Sequence, residues 1–196
     1  MSEFNVLVST DWVAANRDNI RLIEVDVDTT QFATGHIPGA VAFNWQSQLQ
    51  DNIQRDIISK EDFEKLLSSV GVSNDTHVVL YGDNNNWFAA YAFWLFKYYG
   101  HEKVSLLDGG RKKWLAENRE VTTEETSYPP THYTVQSINT DLRADRDYVK
   151  ARLEKADFGL VDVRSPAEYT GEIIAPPGMT ETAQRPGHIP GARNIP

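Results

Sequence analysis

The hydrophobic positions before residue 117 follow two patterns that alternate along the chain. Short apolar runs rich in β-branched residues predict buried strands. Between them, apolar residues recur at helical spacing, as Phe63, Leu66, Leu67 and Val70 do, and predict amphipathic helices. The predicted strands are 20–25, 77–81 and 103–107. The predicted helices are one that follows Ser9 and carries Trp12 and Val13, two at 60–70 and 87–99, and a last one that runs from the DGG turn through Trp114. Apolar strands separated by helices predict an α/β fold with a parallel sheet covered on both faces.

The ends of the predicted helices carry recognisable signals. Ser9 and Ser59 are positioned as N-caps, and Gly71 is positioned as the stop of the second helix. The segment 87–99 is apolar almost all round, which predicts a buried helix that ends at Gly100.

After residue 116 the pattern changes twice. The segment 117–140 is polar, contains prolines and lacks helical periodicity, which predicts a linker. A second helix and strand follow. The helix is predicted at 145–157 with Tyr148, Val149, Leu153 and Ala156 facing inward, and the strand ends at Asp162.

One hexapeptide occurs twice in the chain. GHIPGA stands at 35–40 and again at 187–192, and the segment 21–28 resembles 158–165. The sequence similarity suggests that Asp26 corresponds to Asp162 and Asp28 to Arg164, with a loop inserted at 171–186. Such a repeat indicates a tandem domain. We therefore expect a first domain at 1–126, a linker at 127–140 and an incomplete second domain at 141–196, which has too few elements to bury a core alone.

Charge and composition narrow the functional classes. The net charge is −9 with acidic residues spread along the chain, which argues against nucleic-acid binding. No run approaches the roughly 18–20 apolar residues of a membrane span, and no secretory signal opens the chain, so we expect no membrane association and a cytoplasmic protein. The chain has no cysteine, which excludes disulfides and thiolate chemistry within these residues. The histidines show no metal-ligand spacing, so no metal site is expected.

Several polar residues stand at predicted strand ends, where ligands gather in α/β sheets. Asp26 and Asp162 could be catalytic carboxylates, but we favour a structural role as acceptors of backbone N–H groups. His36 and His188 could be general bases, but their turn-rich surroundings favour locking the loop through backbone hydrogen bonds.

Two further features raise the question of anion binding. Arg164 could bind a divalent oxyanion or could pair with a nearby acid, and both interpretations remain open. The loop at 81–88 could present N–H groups to an anion, but it carries Asp83 and no basic residue, which favours a helix-capping role.

The two GHIPGA blocks, DVRSPAEYTG at 162–171 and LLDGGRKKW at 106–114 together resemble the rhodanese-like sulfurtransferases. The similarity covers the whole chain and is greatest to tandem-domain thiosulfate sulfurtransferases of the actinobacterial type. It implies two rhodanese-like α/β domains, of which only the second is catalytic. It also implies a Cys-x-x-Gly-x-Arg loop whose cysteine carries sulfane sulfur as a persulfide from thiosulfate to cyanide or another thiophile.

The resemblance further implies a small-molecule sulfur donor and acceptor, no cofactor and no metal, and it leaves the oligomeric state open. Trp87 and Phe88 fall where the family places aromatic wall residues, so with Arg164 they are the candidate substrate-binding residues. The catalytic cysteine is expected beyond Pro196, as if this chain were a fragment, and Gly82 stands where the first domain would carry one. We therefore expect the 196-residue chain to be inactive. The alternatives are a non-catalytic binding or regulatory module and, less favoured, the phosphatase branch of the fold.

Overall fold

The computed structural model describes residues 5–153, 155–176 and 183–196, without the side chain of Asn84. The chain divides into two compact units, Met1–Arg143 and Ala144–Pro196. The loop expected at 171–186 therefore lies partly outside the described residues.

The first unit is built on a five-stranded sheet in which every neighbouring pair is parallel. The strand order is β1-β7-β6-β2-β3, and a small antiparallel hairpin, β4–β5, stands apart from it. The strands are β1 Leu7–Val8, β2 Ile20–Asp26, β3 Ala40–Asn44, β4 Gln50–Asp51, β5 Asp56–Ile57, β6 His77–Tyr81 and β7 Val104–Leu107. The apolar run at 77–81 becomes the central strand β6, whose last four residues are buried, as fits a strand covered on both faces.

Helices cover both faces of this sheet. They are α1 Thr10–Asn16, α2 Thr30–Thr34, α3 Trp45–Gln48, α4 Lys60–Ser69, α5 Trp87–Tyr98 and α6 Gly110–Ala116, with short 3₁₀ turns at Arg17–Asn19, Asn84–Asn86 and Thr140–Leu142. One core cluster contains Phe63 of α4 and Phe96 of α5, and a second contains Val13 of α1 and Trp114 of α6. The predicted α/β architecture is confirmed.

The predicted N-caps are confirmed by their hydrogen bonds. The Ser9 hydroxyl accepts from the backbone N–H of Trp12, and that of Ser59 accepts from Asp62, each at 3.1 Å. Helix α5 is buried along Ala89, Ala92, Leu95 and Phe96, as its apolar sequence predicts. Its first residue differs, because the Trp87 side chain is 67% exposed.

The segment predicted as a linker, 127–140, lies against the first unit. Tyr133 and Val135 are buried in its core, and the Tyr128 hydroxyl donates to the carbonyl of Gly39 at 2.7 Å. Just upstream, Thr122 exchanges two backbone hydrogen bonds with His36 at 2.8 and 2.9 Å. We call residues 117–142 the strap. The strap has the polar, aperiodic sequence of a linker, and it forms neither an α-helix nor an extended sheet strand. Single apolar residues nevertheless anchor it to the core of the first unit.

The second unit has little regular structure in its described part. It contains α7 Arg146–Lys150, β8 Val161–Asp162, α8 Pro166–Thr170 and β9 Arg193–Asn194, with β8 and β9 parallel. The helix predicted at 145–157 is wrong in length, and Tyr148 and Ala156 are exposed rather than inward-facing. A two-stranded sheet of two residues per strand offers too little apolar surface to cover a longer helix.

The strap predicts how far the first unit extends. A chain ending at Thr126 should have a free energy of unfolding lower by roughly 3–6 kcal/mol than one ending at Arg143. The reason is that it loses two buried side chains worth about 1.5–3 kcal/mol each. Urea denaturation of both chains measures the difference, and Gln136→Ala, an exposed position in the strap, is the neutral control. Equal unfolding midpoints would show that the strap contributes nothing.

Candidate functional site

The carboxyl ends of the parallel strands meet at one edge of the first unit's sheet, where a buried ion pair lies. Arg111, at the start of α6, donates through Nη1 to both carboxylate oxygens of Glu24 in β2, at 2.9 and 3.0 Å. The side chains are 9% and 2% exposed. Burial raises the pKa of Glu24, and hydrogen bonds from Tyr81 and the Arg111 charge oppose that rise.

Arg111 also holds the loops around this edge. Its Nη2 donates to the carbonyl oxygens of Gln31, at 3.0 Å, and of Gly35, the first residue of the GHIPGA block. Its backbone N–H donates to the carbonyl of Gly82 at 3.2 Å. One side chain therefore connects β2, α2, the GHIPGA loop and α6.

Asp26 ends β2 at this edge and is 3% exposed. Its Oδ1 accepts a hydrogen bond from the backbone N–H of Asp83 at 2.8 Å. Its Oδ2 is buried, and among the described residues no donor lies within hydrogen-bond distance of it. Burial raises the pKa of Asp26 from 3.8 to about 7, and the carboxylates of Asp83 and Glu24 add to that rise. The bond to Asp83 is of the kind that a structural aspartate makes.

The loop that follows β6 has an unusual backbone. Asn85 and Asn86 have φ angles of 57° and 65°, a left-handed conformation that asparagine tolerates better than most residues. Asn86 stabilises it, since its Oδ1 accepts from the N–H of Gly82 at 3.1 Å and its Nδ2 donates to the carbonyl of Leu107 at 2.8 Å. A Cβ at Gly82 would lie 2.4 Å from the carbonyl oxygen of Val25, so a larger residue does not fit there.

The two aromatic candidates differ in their surroundings. Trp87 is exposed, whereas Phe88 is half-buried with its ring 5.1 Å from that of Trp45. Trp87 is therefore the ring that the first unit exposes at its surface, whereas Phe88 packs against Trp45.

The two candidate histidines have the same local arrangement. The Nδ1 of His36 lies 2.9 Å from the carbonyl of Phe32, and its ring stacks on that residue at 3.6 Å. The Nδ1 of His188 lies 2.8 Å from the carbonyl of Tyr169, and its ring stacks at 3.7 Å. His36 is buried and His188 is exposed. These contacts fasten the GHIPGA block to the preceding helix in each unit.

The strand registers correct the sequence correspondence between the two copies. Ile23 lies opposite Val41, the residue after the first GHIPGA block, and Val161 lies opposite Arg193, the residue after the second. Asp162 therefore takes the place of Glu24 rather than that of Asp26. By the same register, the residue at the place of Asp26 is Arg164. The sequence pairing failed because both copies alternate charged and apolar residues, so a shift of two preserves the pattern.

Arg164 pairs with the neighbouring acid in the second unit. Its Nε and Nη2 donate to the two carboxylate oxygens of Asp162 at 3.0 and 2.6 Å, and Nη2 also donates to the carbonyl of Gly187 at 2.9 Å. These hydrogen bonds lower the pKa of Asp162. Arg164 lines a cavity of about 660 Å³ together with Arg185 and Asp162, so two guanidinium groups and one carboxylate face this cavity.

The comparisons with known proteins identify the family. The sequence model of the rhodanese-like domain matches residues 9–117 and 145–196. The chain belongs to the rhodanese-like domain family. None of the helices in the described part of the chain has the length and apolar character needed to cross a bilayer. Its described residues contain no cluster of three histidine or acidic side chains placed to hold a metal ion.

Relatives of this rhodanese-like chain are similar over nearly all of its length. It is 54% identical to a putative thiosulfate sulfurtransferase of Haloferax volcanii, over 97% of this chain and 69% of that protein. It is 52% identical to a protein of the same name in Saccharopolyspora erythraea, over 100% and 70% of the two chains. The sulfur carrier protein TtuD of Thermus thermophilus is 53% identical over 97% and 69%.

A solved structure has the same fold. SseA from Escherichia coli, described as a 3-mercaptopyruvate sulfotransferase, superposes with a TM-score of 0.83 at 26% identity. The match covers 98% of this chain and 75% of that one. Together with the family match, it establishes the rhodanese fold.

Sequence reasoning missed the buried ion pair of Glu24 and Arg111 in this rhodanese-like fold. A signal was present, because Glu24 interrupts the apolar run of β2, and a charge inside a buried strand requires a partner. The identity of that partner depends on packing between residues far apart in sequence.

The buried carboxyl of Asp26 predicts a pH-dependent stability. Between about pH 4 and 7 the native state keeps the proton on Asp26, whereas the unfolded chain has released it. The stability that this proton contributes is therefore complete below about pH 4 and is lost as the pH rises through 7. Asp26→Asn stays neutral, so its stability relative to the wild type should rise by on the order of 1 kcal/mol per pH unit over that range.

Urea denaturation of the variant and the wild type at several pH values measures this trend. Asp18→Asn, which changes an exposed carboxylate, is the matched control and should show a constant difference. A constant difference for Asp26→Asn as well would contradict the assignment of a buried proton.

Proposed function

We propose that this protein is a rhodanese-type thiosulfate sulfurtransferase, which moves sulfane sulfur from thiosulfate to a thiophile such as cyanide through a cysteine persulfide. The observation that carries the proposal is the identity of 54% and 52% with relatives of that name, over nearly the whole chain. The sulfur carrier among the relatives supports the same small-molecule chemistry.

The sulfur-carrying residue is the central issue of the mechanism. A persulfide forms when a thiolate attacks the outer sulfur of thiosulfate and releases sulfite, and a second nucleophile then removes that sulfur. The 196 residues include no cysteine. We propose that the cysteine belongs to a Cys-x-x-Gly-x-Arg loop that follows Pro196 in the coding frame, and that these residues alone cannot turn over.

Arg164 is the proposed anion-binding residue. Its hydrogen bonds to Asp162 and Gly187 fix the guanidinium plane, and Arg185 on the same cavity adds a second guanidinium for the thiosulfate dianion. At the corresponding place the first unit has Asp26, which would repel an anion. We therefore assign anion binding to the second unit and, on the family resemblance alone, propose Trp87 and Phe88 as substrate-binding residues of the first unit.

The first test uses the purified 196-residue chain with thiosulfate and cyanide. We expect thiocyanate to form no faster than in the uncatalysed reaction, because no other side chain of this protein can carry sulfur reversibly. The Haloferax volcanii relative, expressed and purified in the same way, is the positive control. Turnover by the chain, in a preparation free of host sulfurtransferase, would contradict the proposed persulfide mechanism.

A second arm separates the enzyme from a binding or regulatory module, which the missing cysteine favours. The coding frame is read past the Pro196 codon, and any longer protein with the Cys-x-x-Gly-x-Arg loop is assayed. Thiocyanate formation that is lost on changing its cysteine to serine supports the enzyme. A frame without that loop, or an inert longer protein, supports the module.

A further inference from the structure

A cavity of about 570 Å³ opens at the amino edge of the first unit's sheet, opposite the edge that holds Arg111 and Asp26. Its lining comes from the start of β2 and the 3₁₀ turn before it, from the residues that precede β3 and β6, and from the strap. Its charged residues, with one glycine and one tyrosine that matter below, are Arg17, Asp18, Arg21, Gly39, Glu120 and Tyr128.

Arg21, the second residue of β2, is a half-buried cation without an acidic partner. In the described part of the chain no carboxylate lies within ion-pair distance of its guanidinium, which lies over the Tyr128 ring and donates through Nη2 to the carbonyl of Gly71 at 3.3 Å. Burial lowers the pKa of Arg21, and Tyr128 opposes that effect. A partly desolvated charge that is balanced only by a ring and a carbonyl is stabilised further when an anion joins it.

Two N–H donors at this cavity have no acceptor among the described residues. The Nη1 of Arg21 makes no hydrogen bond there and, unlike the enclosed Nε, keeps contact with solvent. The backbone N–H of Gly39, which lies in the turn before β3 with a φ of 85°, is likewise without an acceptor. Tyr128 brings the two residues together, because its hydroxyl donates to the carbonyl of Gly39 at 2.7 Å while its ring contacts Arg21.

The remaining charges of the lining leave Arg21 uncompensated. Arg17 donates through Nη1 to the carboxylate of Glu120 at 3.0 Å, so these two side chains neutralise each other. Asp18 is exposed, and water screens its charge. The Nη2 of Arg17 is not used in the pair with Glu120 and is available for a second contact.

We propose that this cavity binds a small oxyanion, such as a carboxylate, sulfate or phosphate group, with Arg21 as the principal cation and Gly39 and Arg17 as supporting donors. Hydrogen bonds from a guanidinium to an oxyanion are short and charge-assisted, and its planar fork offers two donors to one such group. The site lies at the opposite edge of the sheet from Asp26 and Trp87, so it does not depend on the proposed sulfur transfer.

Oxyanion binding here should stabilise the docked strap. Tyr128 belongs to the strap and holds both Arg21 and Gly39, so the donors are brought together only while the strap is in place. A ligand that binds the folded state alone raises the free energy of unfolding by mass action.

The test is a titration of the full 196-residue chain, labelled with ¹⁵N, with sodium phosphate, sodium sulfate or sodium acetate at pH 7. Proton–nitrogen correlation spectra follow each titration, and sodium chloride holds the ionic strength constant. We expect weak but saturable shifts of the Gly39 amide and of the Arg21 Nε–H signal. Acetate compared with phosphate tells whether the site takes a carboxylate or a phosphate-type oxyanion.

Two variants that each remove one positive charge distinguish this site from general charge effects. Arg21→Gln should weaken binding by about tenfold or more, the effect of one charge-assisted hydrogen bond. Lys112→Gln, at an exposed position of α6, is the matched control and should leave the affinity unchanged. Near-ultraviolet circular dichroism confirms that each variant is folded.

Equal affinity of the wild type and a folded Arg21→Gln would overturn the proposal. So would shifts that do not saturate, since exclusion of sulfate or phosphate from the protein surface produces no saturable site. If Arg21→Gln fails to fold, Arg17→Gln should weaken binding severalfold, and an absence of wild-type shifts at Gly39 and Arg21 would then contradict the site.

Discussion

The first unit depends on one buried ion pair, that of Glu24 and Arg111. Taking two charges out of water costs several kcal/mol per ion, and the pair persists only because its hydrogen bonds recover that cost. Glu24 receives two hydrogen bonds from the guanidinium, and Arg111 also donates to two backbone carbonyls. Its position fixes where α2, the GHIPGA loop and α6 meet the end of β2, and so shapes the edge at which the candidate residues lie.

In the second unit, the corresponding carboxylate obtains its guanidinium partner from a different part of the chain. There Asp162 occupies the place of Glu24, and its guanidinium comes from Arg164, two residues further along the chain, rather than from a distant helix. The first unit uses Arg111 instead and leaves a second acid, Asp26, where the other unit has Arg164. This exchange places an arginine at the edge of the second unit where the first unit has an aspartate. It is the physical basis for proposing anion chemistry in the second unit.

Local patterns predicted much of this fold, and long-range contacts account for the errors. The N-caps of α1 and α4 and the apolar run of β6 depend on neighbouring residues, so the sequence alone determined them. The strap was not predictable in this way, because Tyr133 and Val135 are isolated apolar residues in a polar segment that pack on a core formed far upstream. The predicted correspondence between the two copies was also wrong, since a shift of two residues keeps every side chain on its own face.

The residues of the candidate site likewise fall into those that the sequence marks and those whose role depends on long-range packing. Asp26, Arg164 and the two histidines were found because strand ends and repeated motifs mark them. Arg111 belongs to the LLDGGRKKW motif, but its role depends on the packing of α6 beside β2. Nothing local to residue 111 indicates that its partner stands 87 positions earlier in the chain.

The most direct test of this account is a double-mutant cycle on the buried pair, measured by urea denaturation at pH 8. Arg111→Met leaves Glu24 buried and unpaired, and should lower the free energy of unfolding by about 3–5 kcal/mol. Adding Glu24→Gln should recover part of that loss, giving a coupling of more than about 1 kcal/mol. If Arg111→Met instead costs less than about 0.5 kcal/mol, as an exposed substitution does, and the two changes are additive, then the ion pair does not organise this edge of the sheet.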